Sequence, residues 1–385
     1  MSDRMVEVLQ LIRTQGPVSR SLIARELGLS PAAVSMAVSS LLEANLLVLR
    51  NGTTRRGLGR RPELLEFNPA SGYVLGLDLG ARHIRAAAAD LAGTIVRRVE
   101  FPTLAYEGGQ RVVERLEKTA RELIEALPDR KAMAIGLASP GVLLPTTGRP
   151  WLAPFIPELQ DIPLKEHMEQ AFACPILMEN DVDMAVLGEL AWGAGQGSQN
   201  VVFVNIGIGL AAGIVLNGRL VRGSNRAAGE IGFMVLDPGH VRETFSETGA
   251  TEAVLSGPGI VRRYRVLAGD RARDAETGAS ESERVFALAR SGDAAARQVI
   301  DESVRYLAMV LANLAAAFNP ERLIVGGGVG LALFDEERIT GFLQAHVPFV
   351  PQVVLARLGG DASLMGAISC AVDAALQDVE QRLTR

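Results

Sequence analysis

The residues best suited to chemistry stand in one short stretch, Glu179-Asn180-Asp181-Val182-Asp183. An apolar run from Pro175 to Met178 leads into it, and Met184, Val186, Leu187 and Leu190 follow at helical spacing. The stretch therefore reads as the junction of a buried strand with a helix. In α/β proteins such junctions line the crevice where ligands bind. An amide beside a carboxylate offers donors and acceptors on one edge, which suits the hydroxyls of a polyol. With a phosphate donor opposite, Asp181 could also take a proton from a hydroxyl. Asn and Asp are equally favoured as helix N-caps, so the stretch alone leaves capping open beside ligand binding.

The chain that must position these groups has 385 residues, enough for two to three domains, and 48% of them are hydrophobic, enough for packed cores. The longest nearly apolar run, Tyr306 to Phe318, is short for a membrane span and contains Asn313, so it reads as a buried helix. The N-terminal residues show no basic region followed by an apolar signal segment. Two cysteines, Cys174 and Cys370, suggest no disulfide framework, and a reducing cytoplasm is the expected location. The net charge of −5 conceals an asymmetry: residues 1–61 hold nine Arg against four Asp or Glu, a balance of +5, which leaves −10 for the rest. A basic head on an acidic body predicts a polyanionic partner for the head alone.

Within the head, Met5, Val8, Leu9 and Ile12 mark one helix, and Leu22, Ile23 and Leu27, closed by Gly28, mark a second. Ser30-Pro31 opens a third, with Ser as N-cap and Pro at the first helical position. Val34, Val38, Leu41 and Leu42 form its buried face. Two helices joined through a tight Gly turn predict a helix-turn-helix, whose second helix enters the DNA major groove. A strand over Leu46–Arg50, a loop from Asn51 and an apolar run Leu64–Phe67 add a β-wing. The expected DNA-facing positions are Ser30, Ala32, Ala33, Ser35, Met36 and Ser39. None can make the bidentate base contacts of Arg, Asn or Gln, so Ser hydroxyls and contact with thymine methyls remain. Arg55, Arg56, Arg60 and Arg61 in the wing compensate, and Gly57-Leu58-Gly59-Arg60-Arg61-Pro62 suits a narrow, A·T-rich minor groove. A solvated loop beside a protein-interaction module is the alternative.

After Asn68-Pro69 strands alternate with helical stretches. Val74–Leu79 ends in Asp78-Leu79-Gly80, and Val201–Asn205 enters Gly207-Ile208-Gly209. Ala211–Leu216 with Asn217-Gly218 predicts a type I′ hairpin, and Leu323-Ile324-Val325 runs into Gly326-Gly327-Gly328. With Gly59-Arg60-Arg61-Pro62, Glu179-Asn180-Asp181, Gly229-Glu230-Ile231-Gly232, Thr251-Glu252-Ala253 and Leu364-Met365-Gly366-Ala367, the order and spacing of these motifs resemble the ROK family (repressors, open reading frames, kinases) over nearly the whole chain. The resemblance implies a winged helix-turn-helix followed by a two-lobed, actin-like ATPase fold of the sugar-kinase type. It also implies a ligand between the lobes, a regulator that senses a sugar, and dimers or tetramers.

The chain departs from the family's kinase pattern at both phosphate loops. Where kinases read Asp-x-Gly-Gly-Thr, this chain has Asp78-Leu79-Gly80-Ala81-Arg82; where they read Thr-x-Gly-Thr-Gly-x-Gly, it has Asn205-Ile206-Gly207-Ile208-Gly209-Leu210-Ala211. Phosphate cradles need backbone N–H groups crowded on the anion, which Gly permits. No catalytic residue and no cofactor are therefore expected. The family's zinc ligands are replaced by Phe233, Glu243, Phe245 and Ala250, so no metal is expected either. Asn180, Asp181, Glu230 and Glu252 match hydroxyl-binding positions, while Phe155 and Phe233 stand where sugar-binding members have Asn and His. These two rings make the pocket more apolar, or fill it.

The expected organisation is a DNA-binding head over 1–68, a first α/β lobe over 72–180 with a C-terminal helix near 364–385 packing back on it, and a second α/β lobe with a dimerisation surface over 181–363. The expected function is a cytoplasmic transcriptional regulator, a repressor in the first instance, acting as a homodimer or homotetramer on double-stranded DNA with an inverted-repeat operator. A carbohydrate is its expected effector, and no membrane is involved. The alternatives are an active sugar kinase with a DNA-binding head, and a regulator that needs no effector because its pocket is filled.

Overall fold

The structure is a computed structural model that describes residues 2–51, 63–128, 130–153, 155–237, 239, 248–269 and 281–384. The head comprises α1 (Ser2–Gln15), β1 (Val18–Ser19), α2 (Arg20–Leu27), α3 (Pro31–Glu43), β2 (Leu47–Asn51) and β3 (Glu63–Phe67). Ser19 Oγ accepts from Leu22 N at 3.3 Å to start α2, and Gly28, at φ +62°, ends it by donating its N–H to Ala24 O. Ser30 Oγ accepts from Ala33 N at 3.2 Å, with Pro31 in the first turn of α3. Val8, Leu9, Ile12, Ile23, Val34, Val38 and Leu41 form the shared core. β2 and β3 pair antiparallel as the wing, and β1 adds a third strand by pairing with Leu64 and Leu65. The wing tip, with Arg55, Arg56, Arg60 and Arg61, lies outside the described residues.

The body holds two five-stranded mixed sheets. The first is built from β4 (Tyr73–Leu79), β5 (His83–Asp90), β6 (Ile95–Pro102), β7 (Ala132–Ser139) and β10 (Ile176–Asn180), in the order β10-β7-β4-β5-β6. Between these strands come α4 (Gly109–Glu125), the small hairpin β8 (Val142–Leu143) and β9 (Pro150–Trp151), and α5 (Leu164–Ala171). α6 (Asp181–Trp192) follows directly. The second sheet has β11 (Val201–Ile206), β12 (Leu210–Leu216), β13 (Arg219–Leu220), β14 (Arg322–Gly326) and β15 (Gln352–Leu355), in the order β13-β12-β11-β14-β15. Its helices are α7 (Glu252–Leu255), α8 (Gly257–Ala268), α9 (Glu281–Ser291), α10 (Ala294–Phe318), α11 (Gly328–Leu333) and α12 (Glu336–His346). α13 (Ala362–Thr384) closes the chain. Asn217 and Gly218 both take positive φ, +51° and +70°, as the type I′ turn between β12 and β13 requires. Tyr306–Phe318 lies inside α10, and no helix among the described residues is long and apolar enough to cross a membrane.

Every residue of β4 is buried, because both of its faces are covered. Tyr73, Leu75, Leu77 and Leu79 point to Val112, Val113 and Leu116 of α4; Val74 points to Leu364, Ile368 and Ala371 of α13. α13 sits very close to its neighbours. A Cβ on Gly136 of β7 would lie 1.9 Å from the Ala367 carbonyl oxygen, and one on Gly366 of α13 would lie 1.7 Å from that of Met184 in α6. α6 is buried almost all round. Val182, Ala185 and Val186 meet Phe203 and Ile324 of the second sheet, while Met184 meets Ala138 and Ala367. The Glu189 carboxylate on α6, fully buried, accepts from the N–H groups of Ala194, Arg357 and Leu358 at 2.6, 3.2 and 2.8 Å, which offsets its desolvation.

Candidate functional site

β10 ends and α6 begins at Asn180, facing the space between the two sheets. The Asn180 amide is largely engaged by the protein itself. Its Oδ1 accepts from Val182 N at 2.8 Å and Asp183 N at 3.3 Å, and its Nδ2 donates to the Gly141 carbonyl at 2.9 Å. It is the N-cap of α6, and among the described residues its second amide N–H has no hydrogen-bond partner. Asp181 is differently placed. Its Oδ1 accepts from Val182 N at 3.0 Å, and its backbone carbonyl accepts from Ser363 Oγ of α13 at 2.9 Å. Its carboxylate stands on the wall between two cavities.

The first cavity, of about 240 Å³, gathers Asn180, Asp181, Asn205, Glu230 and Glu252, with Phe155 at its rim. Glu252 Oε2 accepts from Leu210 N at 3.1 Å. Burial pushes the Asp181 carboxyl up to about 6, against the Val182 N–H and with a further push from Glu230. Burial and then the nearby Glu252 push Glu230 up to about 7. Glu252 is raised too, by burial, with the Leu210 N–H opposing. These carboxylates give up hydration to face the cavity, which favours their protonated forms.

The second cavity, of about 380 Å³, is lined by Asp78, Gly80, Arg85, Gly327, Gly328 and Ser363. Burial, then repulsion from Asp181, raises Asp78 to about 7 even though Arg85 Nη1 donates to its Oδ2 at 3.2 Å. Arg85 is held in turn by Glu100 at 3.2 Å, so a fixed guanidinium occupies the Asp78 corner. A third space of about 520 Å³ opens beyond Ile208, with Gly207, Phe286, Arg290 and the exposed Arg82 on its walls. Among the described residues Arg82 makes no ion pair.

Asn180, Asp181, Glu230 and Glu252, expected together from sequence, do converge on one cavity. Phe155 is 44% exposed and borders that cavity, leaving it open; Phe233 borders only an adjoining space. A cleft filled by both rings is thus not what forms, because the Phe155 ring lies at the rim. Of the positions expected to face DNA, Ser30, Ala32, Ser35, Met36 and Ser39 are exposed and Ala33 is half-buried. Of the replaced zinc ligands, Glu243 and Phe245 lie outside the described residues; no group of three or more His, Cys, Asp or Glu able to hold a metal occurs among the described residues.

Two features escaped the reading of the sequence. Asn205, at the end of β11, lines both acidic cavities; its position before Gly207 was the available signal. Glu179 is gripped from the second lobe by Arg222, whose Nη2 lies 2.8 Å away, and by Arg226. That clamp joins residues more than forty positions apart, and no local pattern announces it.

The family model of the ROK family matches residues 74–374. A glucokinase of Halalkalibacterium halodurans is 32% identical over 311 residues, covering 76% of this chain and 93% of its own. A putative xylose repressor of a Caldicellulosiruptor species is 28% identical over 341 residues, 86% of this chain and 84% of its own. The solved structure of a ROK family transcriptional regulator, a homologue of the E. coli MLC protein, covers 99% of both chains with a TM-score of 0.79 and 25% identity.

Proposed function

The chain belongs to the ROK family, and from that premise we propose that it is a DNA-binding transcriptional regulator whose kinase-like body senses a sugar or sugar derivative without phosphorylating it. The observation that carries the reading is the winged head. The glucokinase relative covers about three quarters of the chain, whereas the solved regulator covers nearly all of it, head included. The exposed face of α3, with Ser35, Met36 and Ser39, suits the major groove, and Arg55, Arg56, Arg60 and Arg61 suit backbone and minor-groove contact. A homodimer would present two such heads to an inverted repeat.

The body supports holding rather than transfer. Phosphoryl transfer depends on backbone cradles and metal ions that position and neutralise the phosphates. Here Ala81-Arg82 and Ile208 interrupt the loops, and Arg85 pairs with Asp78. The cavity that Asp181, Glu230 and Glu252 line still offers acceptors to hydroxyls.

α13 is the element that would connect the two functions. Near its start Ser363 donates to the Asp181 carbonyl; near its end Glu380 pairs with Arg13 of α1 at 3.5 Å, and Val379 and Leu383 enter the core of the head. A helix of 23 residues spans about 35 Å. A sugar that favours one arrangement of the lobes would therefore bias the seating of the head. The experiment incubates the full-length protein with magnesium, ATP and a sugar panel and measures ADP, alongside selection of bound sequences from random duplex DNA. An enriched inverted repeat without sugar-stimulated ADP release is expected. Sugar-dependent turnover at about 1 per second or faster, as kinases show, would overturn the non-phosphorylating half, and failure to enrich any sequence would overturn the DNA-binding half.

A further inference from the structure

Two carboxylates of the acidic cavity reach it from different sheets. Asp181 follows β10 of the first sheet, and Glu230 follows β13 of the second. Both line the cavity with Glu252, and no Lys, Arg or His occurs among its described lining residues. In their ionised forms Asp181 and Glu230 repel across the cleft: after burial, the Glu230 charge is a further push on the Asp181 carboxyl.

Behind the cavity the same two segments are tied together. Glu179, two residues before Asp181, accepts from Arg222 Nε at 3.0 Å and Nη2 at 2.8 Å, and from Arg226 Nη2. Its side chain is only 13% exposed, so these pairs are screened less than surface pairs are. Asp183 lies within electrostatic reach of both arginines as well. The arginines are fixed in turn to the second sheet. Val221 N donates to Ile214 O at 2.8 Å, Ala228 N to Arg222 O at 3.1 Å, and Ala212 N to Gly229 O at 2.8 Å. Arg226 itself takes φ +57°, a conformation that few residues with a Cβ adopt. The grip on Glu179 therefore holds an unfavourable backbone turn in place, and it acts on the second sheet as a body.

We propose that Glu179, Arg222 and Arg226 form a clamp that holds the ligand-free cleft closed against the repulsion between Asp181 and Glu230. None of the three is among the residues lining the cavity, so they are positioning residues. A ligand that donates to both carboxylates removes the repulsion and adds to the clamp. The stronger the clamp, the less closure remains for a ligand to drive. This goes beyond the sensing reading above and does not depend on what the cavity binds.

The test is pulsed electron paramagnetic resonance on the ligand-free, full-length protein at pH 8, where Asp181 and Glu230, at about 6 and about 7, are mostly ionised. Cys174 and Cys370 are replaced by Ser, and nitroxides are attached at Lys118→Cys on α4 and Gln344→Cys on α12, both exposed positions. With the clamp intact a single narrow distance is expected. Arg222→Ala combined with Arg226→Ala, and separately Glu179→Gln, should displace its mean by at least about 2 Å, the scale of a domain rearrangement. Arg226→Lys keeps the charge and should keep the distance. Adding Glu230→Gln to the double Ala variant removes the repulsion and should bring the distance back. The side chains of Arg222 and Arg226 are 43% and 30% exposed, so replacing them leaves the core intact. An unchanged distance in both clamp variants would overturn the clamp. A displaced distance that Glu230→Gln does not restore would overturn the repulsion it is said to oppose. Either result leaves the sensing reading standing, because the measurement uses neither DNA nor sugar.

Discussion

Asp181→Asn separates what the carboxylate does for binding from what it costs the fold. The amide keeps the shape of the side chain and the acceptor for Val182 N, 3.0 Å away. In the folded protein the Asp181 carboxyl titrates near 6 instead of its ordinary 3.8, chiefly because it is buried. A raised acid binds a proton on folding between these two values. Its contribution to stability is therefore fully present below about pH 4 and lost as the pH rises through 6. The Asn variant has no such loss. Linkage with these two values, at 1.36 kcal/mol per pH unit, gives a difference that changes by roughly 1.4 kcal/mol between pH 5 and pH 8, in favour of the variant at the higher pH. Binding should move the other way. A hydrogen bond to an ionised group contributes about 1.5–3 kcal/mol and a neutral one about 0.5–1.5, so the variant should lose roughly 5- to 15-fold in affinity for the proposed sugar effector at pH 8. At pH 5, where wild-type Asp181 is mostly protonated, the gap should narrow. Urea unfolding of both proteins at the two pH values, with titration calorimetry alongside, measures all of this. A stability difference independent of pH would refute the claim of a desolvated carboxylate, and unchanged affinity at pH 8 would refute its contact with the ligand.

Two further outcomes follow from the architecture. Gly366→Ala puts a methyl group 1.7 Å from the Met184 carbonyl oxygen, so α6 and α13 must separate, and urea unfolding should show a loss of at least about 1–3 kcal/mol; a loss below about 0.5 kcal/mol would contradict the close seating of α13. Replacing Arg60 and Arg61 with Ala should weaken operator binding and reduce its log–log salt slope by up to about 0.9 per lost phosphate contact. An unchanged slope in anisotropy titrations between about 50 and 200 mM salt would remove the wing from the interface.

Much of the fold was legible because its signals are local. Ser30-Pro31 announces the start of α3, Gly28 the end of α2, and Asn217-Gly218 a hairpin, each by backbone chemistry that needs no distant partner. β4 was legible as a strand, and its burial on both faces explains why it shows no polar alternation. The two-residue strand β1 was not, since only its pairing with Leu64 and Leu65 makes it a strand. At the site, the resemblance to the ROK family, rather than residue types alone, placed Asp181, Glu230 and Glu252 in one cleft, but two roles depend on contacts made at long range. Asn180 is turned to capping and to Gly141, 39 positions away, and Glu179 is held by Arg222 and Arg226. The Phe155 ring could line or fill the cleft as far as sequence goes, and only the path of the chain around it decides for the rim.

If the protein is a sensor, a ligand in the cleft controls the head. The most direct measurement is fluorescence anisotropy of the selected operator duplex with full-length protein, repeated across concentrations of whichever sugar or sugar derivative binds, for wild type and Asp181→Ala. The expected result is a wild-type midpoint that moves at least fivefold, the lower end of ordinary allosteric coupling, and a variant that binds the duplex like wild type without ligand and no longer responds to it. A wild-type midpoint that stays fixed while calorimetry shows the ligand bound, or a variant that responds with the wild-type midpoint and amplitude, would contradict control of the head from the cleft.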